Sequence, residues 1–76
     1  MSVANARLFI ELLLNEPVLT SQFYVANPRT PEKVLRWAGA KGWSFTAEDF
    51  IQAAAGYPDK PIVEAIRRRL AGEMVL

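Results

Sequence analysis

Prolines and glycines punctuate this sequence so closely that it can form only short elements, and the residues beside them say which kind. Ser2 can cap a first helix from about Val3 to Asn15. Pro17 suits the first turn of a second, short helix reaching about Val25. Asn27-Pro28-Arg29 reads as a loop, because Pro28 pushes Asn27 out of the helical region. Thr30-Pro31-Glu32 is a helix start: a capping hydroxyl, proline at the first helical position, then an acid near the positive end of the dipole. That third helix should end near Lys41, where Gly42 can take the left-handed closing conformation. Thr46 opens a fourth helix, with Glu48 and Asp49 in its first turn, running to Ala55 and stopped by Gly56. Tyr57-Pro58-Asp59 is a linker, with Asp59 placed to cap a last helix that reaches about Ala71 before Gly72. Val34, Leu35 and Ala38 recur at helical spacing, as do Ile62, Ile66 and Leu70. No segment alternates apolar and polar residues between turn signals as a strand would. The fold class is all-α, a compact bundle of four to five short helices.

Composition narrows the function. A chain of 76 residues makes one small domain, with a thin stability margin. Cysteine and histidine are both absent, which removes disulfides, the commonest metal ligand and the usual general base. Ser2, Ser21 and Ser44 therefore have no histidine to activate them. Glu48 and Asp49 are adjacent on a helix and point in different directions, so they form no acid–base pair. No catalytic residue, metal site or cofactor site is expected, and no small-molecule substrate. Net charge is +1, which supplies no general basic field for nucleic acid. Apolar residues make up 51%, yet no run approaches the roughly 18 needed for a membrane span. Glu11 and Glu16 flank Leu12-Leu13-Leu14, unlike a signal-peptide core. The expected location is cytoplasmic.

Two surfaces invite a partner. Ala6, Phe9 and Leu13 form one apolar stripe on the first helix, but Leu8, Ile10, Leu12 and Leu14 make it apolar nearly all round. Either the bundle surrounds this helix, or Leu8, Ile10 and Leu12 meet another chain, with Met74-Val75-Leu76 adding apolar surface at the chain's end. The second surface is Arg67-Arg68-Arg69. Three consecutive arginines fan over roughly 200° of a helix, so they suit a solvated face or an acidic protein better than one phosphate groove. Glu64 and Glu73 are close enough to neutralise part of the run. Leu8, Ile10, Leu12, Arg67, Arg68 and Met74 are the candidate partner-binding residues. The partner is another protein or a second copy, so a homo-oligomer is expected; nucleic acid is not.

The order of residues also carries a resemblance. Phe9 four residues before Leu13, then Asn15-Glu16-Pro17-Val18-Leu19, Thr30-Pro31-Glu32-Lys33-Val34-Leu35, Ala38, and the stretch Gly42-Trp43-Ser44-Phe45-Thr46-Ala47-Glu48-Asp49-Phe50 resemble the Nif-eleven-like leader family. These are small helical bacterial proteins, named for nitrogen-fixation gene neighbourhoods and abundant in cyanobacteria. Many serve as leader segments on ribosomally made, modified peptides. The resemblance covers residues 1–56, expected as the helical domain. Residues 57–76 are then a linker and an amphipathic helix packed on that domain or on a partner.

In such leaders an acid–apolar pair precedes a small-residue cleavage site. Asp49-Phe50 and Ala55-Gly56 resemble that processing motif in degraded form, though a glycine-capped helix end also explains them. Lanthionine and azoline chemistry needs Cys, Ser or Thr downstream, and residues 57–76 contain none. The expected function is thus a non-catalytic protein-binding or adaptor module that self-associates or docks on a larger bacterial complex. The alternative is a leader-type domain recognised by a peptide-modifying enzyme.

Overall fold

The computed structural model describes residues 2–73, which form five helices and no strand. These are α1 (Val3–Asn15), α2 (Pro17–Ala26), α3 (Pro31–Ala40), α4 (Ala47–Ala54) and α5 (Pro61–Leu70). Local chemistry sets most of the bounds. Ser2 Oγ accepts the Asn5 N–H at 3.0 Å, and Thr30 Oγ1 accepts that of Lys33 at 3.2 Å. Thr46 and Asp49 exchange side chain–backbone bonds in a capping box at the start of α4. Pro17, Pro31 and Pro61 open α2, α3 and α5, where a helix has no use for the missing N–H. Gly42 (φ 94°) and Gly72 (φ 80°) take the left-handed conformation after α3 and α5.

Two boundaries differ from expectation. Asp59 does not cap α5: Pro61 fixes the first helical residue, so the cap position falls on Lys60, whose side chain makes no capping bond. Gly56 takes no left-handed conformation either. The chain leaves α4 through successive tight turns, with Gly56 N–H bonded to the Ala53 carbonyl and Tyr57 N–H to that of Ala54. A Cβ at Gly56 would lie 3.5 Å from the Ala53 oxygen, an ordinary contact. Asn27 at the end of α2 (φ 47°) takes the left-handed position instead, a conformation asparagine tolerates better than most.

α1 is the hub, packing against α2, α4 and α5. Its Ala6, Phe9, Ile10 and Leu13 are buried. α3 adds Val34 and Ala38, the loop after it adds Phe45, and α4 adds Phe50, Ala53 and Ala54. α5 contributes Ile62, Val63, Ile66 and Leu70 to the same core. Aromatic rings run through the molecule in a series of edge and tilted contacts: Tyr24, Phe23, Trp37, Phe9, Phe45, Phe50, with centroids 5.4–6.0 Å apart. Such pairs add about 0.5–1.5 kcal/mol each beyond the area they bury. The apolar surplus of α1 is therefore largely absorbed within the chain. Ile10 has no exposed surface, so the expectation that it meets a partner is overturned.

Candidate functional site

Most of the exposed apolar surface among the described residues lies on α2. This helix sits at the edge, packed mainly on α1 and tied to it by Thr20 Oγ1, which donates to the Leu13 carbonyl at 2.6 Å. Phe23 is its only fully buried side chain, with Leu19 half-buried. Val18 and Val25, two turns apart on the outer side, are 67% and 86% exposed. Between this side of α2 and the half-buried Trp37 of α3 lies a groove of about 570 Å³, lined by Val18, Ser21, Val25 and Ala26, with Lys41 at its edge. A second hollow of about 370 Å³ adjoins it through Ala26 and Trp37, and Lys33 and Arg36 line its other side. The two share a wall and make one apolar surface with basic residues along the α3 edge.

These basic residues are available in a way the arginine run is not. Lys33 and Arg36 are exposed, and their side chains form no ion pair or hydrogen bond among the described residues. Lys41 Nζ donates to Gln22 Oε1 at 2.9 Å and lies 5.4 Å from the Trp37 ring centre, so it closes one end of the groove. On α5, Arg67 makes a two-point contact with Glu64 at 2.6 and 3.0 Å and reaches Glu73 at 3.9 Å. Arg68 shares Glu64 at 3.3 Å. Arg69 lies over the Phe23 ring and donates to the Pro28 carbonyl, pinning the α2–α3 loop to α5. Hydrogen bonds from Arg67 and Arg68 hold the Glu64 carboxyl down at about 2, and the same contact with Glu64 raises Arg67. Arg67 and Arg68, expected to face a partner, pair with Glu64 on their own helix, and Arg67 also reaches Glu73 just beyond its end.

The other candidate residues scatter. Leu8 is 53% exposed on α1, while Leu12 is half-buried. Met74 lies outside the described residues. The leader-like motif divides in two. Asp49 is committed to the capping box and Phe50 is fully buried, whereas Ala55 and Gly56 are exposed at the exit from α4. Beside that exit, the Tyr57 hydroxyl donates to Glu11, which raises the Tyr57 pKa. The surface sequence reasoning missed is the Val18–Val25 side of α2. α2 is apolar on several sides, as α1 is, and nothing in its sequence says which side the packing leaves uncovered.

Among the described residues no cluster of three or more acids could hold a metal ion, and no helix is long and apolar enough to cross a membrane. No curated protein and no solved structure matches the chain. The Nif11 domain matches residues 1–50, from the start of the sequence to the buried Phe50 of α4. Phe9, Leu13, Phe23, Ala38 and Phe50 of the matched segment are all core, and the chain belongs to the Nif11 family.

Proposed function

We propose that this protein is a non-catalytic docking module that binds another protein through the outer side of α2 and the Trp37 groove. The observation that carries the reading is the exposure of Val18 and Val25 beside a half-buried tryptophan. Apolar side chains left in water next to a concave aromatic surface gain free energy when a partner covers them, at about 25 cal/mol per Å². Patches of this kind mark interaction sites more often than isolated exposed residues do. Leu8 is the smaller alternative, and self-association through α1 would have to rest on it and Leu12.

Site-specific photo-crosslinking in native cells tests the reading. A photo-reactive phenylalanine in place of Val25 should yield a discrete protein adduct, and the same residue in place of the exposed Gln52 on α4 should not. No adduct from position 25, or equal adducts from both, would remove the support.

Membership of the Nif11 family favours a second reading, in which the helical unit serves as a leader recognised by a peptide-modifying enzyme. Processing after Gly56 would then separate α5, and with it four core side chains, from the rest. That loss argues for a chain that keeps α5. A clean fragment of residues 1–56 in the mass spectrum of native extracts would establish the leader reading instead.

A further inference from the structure

We infer that the partner presents an amphipathic helix with acidic residues flanking its apolar stripe, and this deepens the docking reading on which it rests. The apolar wall formed by Val18, Val25 and Trp37 gives the groove its affinity for a greasy stripe. Val18 and Val25 are seven residues apart, about 10 Å along a helix, the spacing at which a second helix repeats its own apolar positions. The sign of the partner's charge comes from the rim. Lys33, Arg36 and Lys41 line the α3 side; of these, Lys33 and Arg36 are unpaired among the described residues, and Lys41 is bonded only to the neutral Gln22. Glu32, one turn before Arg36, makes no ion pair with it and lines neither hollow, so the charged residues lining the two hollows are all cations.

The same charge argues against a second copy on this face. A symmetric dimer sets this patch against itself, and because no acid lines either hollow it would add like charge without supplying a carboxylate for the rim cations, a net repulsion. Carboxylates on a different protein meet no such repulsion. They would find exposed donors and would speed encounter, while the apolar stripe sets the residence time.

The probe is a pair of synthetic helical peptides of about 18 residues, with one leucine stripe in common and either glutamate or lysine beside it. The glutamate peptide should bind at least about tenfold more tightly at low salt, and the gap should shrink as salt rises. Amide shifts should centre on Val18, Val25 and Trp37. The exposed double change Lys33→Glu and Arg36→Glu should reverse the preference with the circular dichroism spectrum unchanged. Equal binding of both peptides would overturn the acidic partner while leaving an apolar docking surface. Shifts centred on Leu8 would overturn both. If neither peptide binds but the position-25 cross-link persists, the partner's chemistry is wrong and the docking reading survives; if the cross-link is absent too, both fail. Self-association abolished by Val25→Asp would place a second copy in the groove and overturn the inference.

Discussion

α1 and α2 follow one another in sequence, are both apolar over most of their surface, and end up in opposite situations. α1 buries Ala6, Phe9, Ile10 and Leu13; α2 fully buries only Phe23. Composition does not separate them; neighbours do. α1 has α2, α4 and α5 around it, while α2 leans chiefly on α1 and touches α3 through the Phe23–Trp37 ring contact at 5.4 Å. A helix that is apolar all round is stable only where enough elements surround it, and a small chain has few elements to supply that cover. The second such helix keeps an uncovered side. Hence most of the exposed large apolar side chains among the described residues belong to the helix at the edge, although α1 is the longer stretch.

The most severe test of this comparison removes a neighbour of α1. A fragment of residues 1–56 lacks the four core side chains of α5, each worth about 1.5–3 kcal/mol when fully buried. It should lose its cooperative thermal transition in circular dichroism. A folded fragment would mean that α1 needs less cover than the packing implies.

Next comes the same substitution on both helices. Ile10→Asp places a charge with no partner in the core and should unfold the protein or cost at least about 3 kcal/mol in urea titration. Val25→Asp, on an 86% exposed side chain, should shift stability by no more than about 0.5 kcal/mol. Similar costs at the two sites would break the distinction between hub and edge.

A smaller effect should come from Arg69, which holds the edge in place. Arg69→Ala removes its contact with the Phe23 ring and its hydrogen bond to Pro28. A loss of about 1 kcal/mol is expected, with amide exchange quickening first in α2 and the loop after it. Arg68→Ala, exposed and sharing Glu64 with Arg67, should do far less.

The weakest expected signal is the acid limb. Glu64 titrates near 2 in the folded chain and near 4.5 otherwise, so its folded pKa is depressed. Its contribution is present above about 4.5 and is lost as pH falls from there toward about 2. Glu64→Gln should flatten that part of the stability–pH curve, and salt should flatten it in the wild type. An unchanged curve would mean that the pairs on α5 hold side chains in place without stabilising the fold.

The sequence was enough to determine the helices. Ser2, Thr30, Thr46, Pro17, Pro31, Gly42 and Gly72 act within one or two turns of themselves, so their effects are legible before any packing is known. Even the misread ends at Asp59 and Gly56 were errors of a residue or of a turn type, where a following proline or a tight turn displaced the expected cap. The family was legible for the same reason, since its pattern is an order of caps and apolar positions. Tertiary structure alone decided which apolar faces are used. Ile10 and Val25 are both apolar residues on largely apolar helices, and only the placement of α4 and α5 around α1 buries the first and leaves the second exposed. It also decided the fate of the charges: a conspicuous Arg67-Arg68-Arg69 run is consumed by Glu64, Glu73, Phe23 and Pro28, whereas scattered Lys33, Arg36 and Lys41 converge along one groove. Burial and charge pairing depend on contacts between residues far apart in the chain, and those contacts exist only once the helices have packed.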